Sequence, residues 1–355
     1  MVTAGTTVVR GERTRLIYKT ESTFGSEDLS MAWRRFGITH GATCPDPDYQ
    51  YEPQWITGEG RDWKFMPGEV KEVYAGSMPD VWLQQAQIFK YILGGCISPG
   101  GGAENTISVA TTLPSFTWEV SDWDDTATGS DDTTGKVLLR RYLGCKINRA
   151  SIAAEEGGRL QLSLEEILCQ NLIHDQAGIR KYSAGMVAHH VDPYAYQPYL
   201  FHEGQLQLFG VTFAQVKRFN LTMVNGLEPQ YFIQRGASEP YPYSIVEHRT
   251  GFACTATINV TDVSMWNALM AKNCVSGAFT GFTGLFDFYR GGVAAGDYIS
   301  LQLGPDGALT VINPGCFFKK GGTKAVETPL IPVDVEVEVP TVVIRSKDSY
   351  GQYNT

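Results

Sequence analysis

The sequence predicts a mainly β protein made of two related β-rich, sandwich- or barrel-like domains, each with a short flanking α-helix. Three observations carry this. Composition leans toward pleated structure: 38 Gly supply turns, and 17 Tyr with 17 Phe suit half-buried strands. Apolar and polar residues alternate in short runs, most plainly in Val333-Asp334-Val335-Glu336-Val337-Glu338. Three short anchors also recur in the same order in the two halves of the chain.

The anchors are specific. Glu52-Pro53-Gln54-Trp55 returns 176 residues on as Glu228-Pro229-Gln230-Tyr231. Asp80-Val81, with Trp82, returns 182 on as Asp262-Val263, with Trp266. Gly144-Cys145 returns 171 on as Gly315-Cys316. Near-equal offsets in a fixed order are what a duplication leaves behind. At 355 residues, each half is large enough to bury its own core. The expected division is an N-terminal arm and lead-in over 1–50, a first β domain over 51–180 and a linker over 181–198. A second β domain over 199–345 and a C-terminal tail over 346–355 complete it.

Along the chain, residues 1–50 are polar and turn-rich and read as an arm, not as core. Val70, Val73 and Tyr74 suggest a strand ending at Gly76. Pro79-Asp80 then opens a predicted helix to Leu93, stopped by Gly94-Gly95. A Pro/Gly-rich loop covers 98–114, and Phe116, Trp118 and Val120 alternate as a strand. Residues 122–135 read as a solvated acidic loop. Strands are expected at 146–154, 160–165, 199–209 and 215–224, with Asn225-Gly226 as a hairpin turn. The second half repeats strand then helix at 252–260 and 263–271, followed by strands at 284–289, 298–303, 308–312 and 333–339.

Charge and chemistry narrow the function classes. The net charge of −9 argues against a surface that grips DNA or anionic lipid. No apolar run is long enough to span a bilayer, and the first residues lack a signal-peptide pattern, so synthesis and assembly are expected in a cytosol. Seven scattered cysteines without a C-x-x-C pair read as buried thiols. His189, His190, Asp192 and His202 lack metal-ligand spacing, and the 122–132 aspartates lack the Gly and Glu of a calcium loop. No phosphate loop or nucleophile elbow occurs. No enzyme activity, cofactor or metal is expected.

The order strand, short helix, long loop, strand, then the Gly-led run Gly144 to Ile152, resembles a known family. The second half, opening with Phe219-Asn220-Leu221-Thr222-Met223-Val224-Asn225-Gly226-Leu227-Glu228, strengthens the likeness. The chain is similar to the tail tube proteins of long, flexible-tailed bacteriophages, especially the double-domain kind. That resemblance implies a virion structural protein that stacks as rings into a hollow conduit for genome passage. It implies trimeric, pseudo-sixfold rings and inner strands joined into one barrel, with loops near 20–50 and 98–114 meeting the next ring. Partners would be other copies of the chain, a tape measure protein and tail terminator or tip proteins. DNA would pass the bore without specific binding, and no membrane is involved.

Period two places Asp334, Glu336 and Glu338 on one strand face and valines on the other. The face reads either as an ordinary solvent-facing strand side or as an acidic strip lining the bore, with Gln161, Ser163 and Glu165 as repeat counterparts. A competing reading is a carbohydrate-binding or adhesin-like β-sandwich of a phage tail, with Trp55, Trp63, Trp118 and Trp123 as stacking platforms.

Overall fold

The computed structural model describes residues 9–26, 33–37, 39, 41–46, 51–54, 64–67, 74–99, 103–124, 137–174, 197–208, 211–213, 216–232, 241–260, 281–291, 296–309, 315–323, 331–348 and 353. In the first half the strands are β1 (Val9–Thr20), β2 (Arg34–Arg35), β3 (Thr43–Asp46), β4 (Tyr51–Gln54), β5 (Lys64–Pro67) and β6 (Tyr74–Trp82). They continue with β7 (Gly94–Ile97), β8 (Asn105–Val109), β9 (Phe116–Asp124), β10 (Val137–Glu155), β11 (Gln161–Cys169) and β12 (Asn171–His174). The second half adds β13 (Gly204–Leu208), β14 (Val211–Phe213), β15 (Val216–Val224), β16 (Glu228–Gln230), β17 (Ser244–Val246) and β18 (Gly251–Val260). The last are β19 (Gly284–Tyr289), β20 (Tyr298–Leu303), β21 (Phe317–Thr323), β22 (Ile331–Val339) and β23 (Val342–Lys347). One short α-helix, α1 (Lys90–Leu93), stands among the described residues, preceded by a 3-10 turn at Gln87–Phe89.

All pairings are antiparallel, and no sheet closes on itself among the described residues. The larger sheet contains the run β3-β6-β11-β10-β15-β18-β22-β21. β10 joins two parts of it. Its first stretch pairs with β9 and β12, and its second with β11 and β15. The turn between them sits at Gly144, whose φ of +63° and approach to Gln170 Cβ leave no room for a side chain. The second sheet, β14-β13-β19-β20-β23-β8-β7, covers the buried side: Phe219 of β15 meets Phe286 of β19 at 4.4 Å. One continuous core runs through both halves.

Two of the three repeated anchors fall at matching places, and the third, Asp262-Val263 with Trp266, lies outside the described residues. Glu-Pro-Gln begins β16 and ends β4, and each of these strands belongs to an isolated two-stranded ladder, with Pro53 opposite Phe65 and Pro229 opposite Ile245. Gly144 and Gly315 both take positive φ (+63° and +83°), and each is followed by a fully buried cysteine. Each hairpin after them, β10-β11 and β21-β22, adds to the strand that follows a Glu-Pro-Gln ladder, β6 or β18.

Four local expectations differ from the structure, the first being that residues 98–114, expected as a loop, contain β8, which pairs with β7 and β23. The helix expected from Asp80 to Leu93 forms only at its end, as the 3-10 turn Gln87–Phe89 and α1. β6 continues to Trp82 because β11 offers a ladder, with Leu162 opposite Val81 and Gln161 opposite Trp82. Val81, Leu83, Ala86, Ile88, Phe89, Ile92 and Leu93 are buried on every side, so their spacing did not discriminate helix from strand and turn. Residues 9–20, expected in the arm, form a strand whose Ile17 and Tyr18 are fully buried. Asn225-Gly226 does not join a hairpin: β15 pairs with β10 and β18 while β16 pairs with β17, and the Asn225 side chain donates to the Ile92 and Ile147 carbonyls. The segment after Val339 is placed as β23, followed by Tyr353, which is fully buried. The 263–271 helix, the 181–196 part of the linker and most of the acidic loop lie outside the described residues.

Candidate functional site

The long run of the larger sheet has one buried and one solvent-facing side. On β22 the valines 333, 335, 337 and 339 are 3% exposed while Asp334 and Glu338 are open to solvent. On β11, Leu162 and Leu164 are buried while Gln161, Ser163 and Glu165 face outward. Both triads therefore lie on the same face of one sheet.

Register aligns them into rows. Ser163 is opposite Ser151, Ser151 opposite Thr222, Thr222 opposite Ala253 and Ala253 opposite Glu338. A second row runs Gln161, Ala153, Asn220, Thr255, Glu336. A third runs Glu155, Arg218, Thr257, Asp334. Each triad is thus separated from the other by four strand spacings, about 19 Å. Between them the first two rows are built of Ser, Thr, Ala and Asn, short and polar or neutral, while the third adds Glu155 and Arg218.

The acidic strip is not bare. Asp334 accepts a hydrogen bond from Thr257 at 2.7 Å, Thr257 accepts one from Arg218, and Arg218 stands 3.9 Å from Asp334. Lys319 of β21 bridges Glu336 at 3.2 Å and Glu338 at 3.9 Å. The Glu336 hydrogen bond and the two carboxylate charges push the Lys319 amine above its ordinary value. On β11, Glu165 is paired with Arg149 at 2.8 Å and accepts from Ser151. These bases are the residues that reading one strand at a time missed. Arg218, Asn220 and Thr222 did alternate visibly in sequence, but which acids they face depends on strand order.

Two further features concern the sheet's ends. β3 and β21 are the terminal strands of the described run. Inside it, β10 and β15 form the seam between the halves, paired continuously from Arg149–Val224 to Glu155–Arg218. A small cluster of Leu113, Leu168, Leu227 and Ile245, with Phe24, seats the β16-β17 ladder beside this seam. Lys146 fixes it there, donating to the Ile245 carbonyl at 2.9 Å and to Glu247 at 2.6 Å, with both side chains mostly buried. Burial raises the Glu247 carboxyl, but the Lys146 contact and the Leu113 N–H outweigh it and hold the group below its ordinary value.

Trp118, expected as a sugar-stacking platform, is fully buried against Phe36 and Tyr142. Trp55 and Trp63 lie outside the described residues. Among those residues, no cluster of His, Cys, Asp or Glu could hold a metal ion, and no helix is long and apolar enough to cross a membrane.

A sequence profile described as phage tail tube protein matches residues 83–305, a stretch that includes the seam and both of its flanking hairpin strands from the first half. No curated protein sequence matches the chain.

Proposed function

The chain belongs to the phage tail tube protein family, and from that premise we propose that three copies close each ring of the tube, with the β3–β21 run lining the bore. The protein is a structural subunit of a phage tail tube, a virion tail component that assembles with copies of itself. In this reading the tail is of the long, flexible kind. The ring is pseudo-sixfold because each chain carries two duplicated β units, over 51–180 and 199–345, joined through 181–198.

The observation that carries the proposal is the β10–β15 seam. It joins the last strand of β3-β6-β11-β10 to the first strand of β15-β18-β22-β21, two runs of the same order. Repeating that junction between chains pairs β21 of one copy with β3 of the next. The strand directions alternate correctly through the join, and the terminal strands of the sheet are paired instead of exposed. Three eight-strand runs make twenty-four strands. At a spacing of about 4.8 Å and a tilt near 40°, such a barrel is about 45 Å across, backbone to backbone. Two chains would give about 30 Å, and side chains of about 5 Å on each wall would leave about 20 Å. The three-chain barrel leaves room for a hydrated DNA duplex; the two-chain barrel does not.

The short polar rows then form the wall along which the genome moves. Asp334, Glu336, Glu338 and Glu165 keep phosphates from settling, while Arg149, Arg218 and Lys319 are held by carboxylates and not offered to DNA. Without phosphate–cation contacts there is no counterion release to drive binding. A tape measure protein would occupy the same bore during assembly in the host cytoplasm, and terminator and tip proteins would cap the ends. Native mass spectrometry of the purified protein, with negative-stain imaging, tests the stoichiometry. Species in multiples of three chains and hollow tubes are expected; hexameric rings or compact monomers at high concentration would overturn it.

A further inference from the structure

Two cysteines face each other where β10 passes from one part of the larger sheet to the other. The register sets Lys146 opposite Leu168 on β10 and β11, which brings Cys145 opposite Cys169 one step further along. Directly opposed residues of antiparallel strands have Cα atoms about 4.5–5.5 Å apart, inside the range a disulfide needs. Both thiols are fully buried, and their sulfurs lie 2.7 Å apart. Cys145 also contacts the Tyr142 carbonyl, which aims its sulfur within the same pocket. Among the described residues all six cysteines are thiols.

We infer that Cys145 and Cys169 form a latent cross-strand disulfide, closed by a small peroxide-class oxidant once the protein leaves a reducing cytoplasm. Two thiols and one hydrogen peroxide yield one S–S bond and two waters; the sulfurs are oxidised and the peroxide oxygens reduced. The pair is 24 residues apart in sequence, so the bond closes the whole β10-β11 hairpin. It ties the Gly144 bend to the end of β11, at the corner where the two parts of the larger sheet meet. A cytoplasm keeps such thiols reduced, whereas a released particle meets oxidant. Burial, with the Cys169 contact next, holds the Cys145 thiol well above its ordinary value. Thiolate is therefore scarce, and closure is slow in the folded protein and faster at alkaline pH.

The test uses the full chain purified under reducing conditions and then exposed to dilute hydrogen peroxide. The protein is denatured in an alkylating reagent and read by intact and peptide mass spectrometry. The expected result is a chain carrying two fewer alkyl groups than the reduced protein, with a further loss of about 2 Da for the two hydrogens removed. It should come with a single linked peptide joining Cys145 to Cys169, reversed by dithiothreitol. The thermal midpoint should rise by roughly 5 °C on closure. Cys145 and Cys169 both alkylated after peroxide, or linked to other cysteines, would overturn the assignment; so would a linked product whose midpoint is unchanged or lower. The chemistry is read on unassembled chain as well as on tubes, so it fails or succeeds independently of ring stoichiometry.

Discussion

Replacing Lys146 by Met should loosen the β16-β17 ladder from the seam while leaving the rest of the sheet intact. The ammonium donates to the Ile245 carbonyl and to Glu247 Oε1, and side-chain exposures of 10% and 17% leave little water to take its place. Removing one partner of a buried ion pair costs about 3–5 kcal/mol; partial access at Glu247 lowers this to about 2–3 kcal/mol. Met keeps most of the apolar stem, so the loss reports the charge and its hydrogen bonds. Adding Glu247→Gln removes the stranded carboxylate and should recover much of the loss, giving a coupling of about 2 kcal/mol in the double-mutant cycle. The assay is amide hydrogen exchange on unassembled protein. Protection over residues 241–248 should fall about 30-fold or more in Lys146→Met, with the β18-β22 ladder unchanged. Because Glu247 is held below its ordinary value of 4.5, the pair's stabilisation is present above that pH. It is lost as pH falls through the lowered value, and the single variant should flatten the dependence. Unchanged protection in the single variant, or a double variant as loose as the single one, would refute this account of the seam.

Gly144→Ala and Gly315→Ala should each destabilise by about 2 kcal/mol, since both backbones are left-handed. A Cβ would meet Gln170 Cβ at 2.7 Å at the first and Leu309 Cδ2 at 2.8 Å at the second; urea denaturation checks both. Tyr353→Ala should cost about 3 kcal/mol by emptying a buried slot, and limited proteolysis should then trim the C-terminus faster. The backbone there accepts from Gln87 and Lys90, and the hydroxyl bonds Ser346, so the loss should extend to the start of α1. The triple change Asp334→Asn, Glu336→Gln, Glu338→Gln removes only solvent-exposed pairs, so tubes should still assemble. It also releases Arg218 and Lys319 toward the bore. Variant tubes should retain DNA at 50 mM salt and release it at 200 mM, while unaltered tubes retain none.

Much of this fold is written in local residue patterns. Val333 to Val339 names its own buried face, and 284–289 and 298–303 were bounded by their turns to the residue. The paired Gly-Cys and Glu-Pro-Gln anchors marked corresponding places in two strand runs of the same order. The α1 region was harder, because a segment buried on all sides carries no period that separates a helix from a strand followed by a turn. Strand order was not legible. Nothing local tells Arg218 that it will stand beside Asp334, 116 positions on, since that proximity passes through two ladders that meet only in three dimensions. The acidic triad was therefore visible, and the bases that temper it were not. Trp118 shows the opposite failure: an aromatic in an alternating strand faces core or solvent according to register alone.

In the proposed ring β21 of one chain pairs with β3 of the next as β10 pairs with β15 within a chain. A cryo-electron microscopy map of the assembled tube, resolved well enough to trace strands, tests it directly. Three chains per ring and an unbroken twenty-four-stranded wall are expected, with residues 317–323 antiparallel to residues 43–46 of the neighbour. A ring in which β21 and β3 stay apart, or in which Asp334, Glu336 and Glu338 point away from the bore, would contradict it.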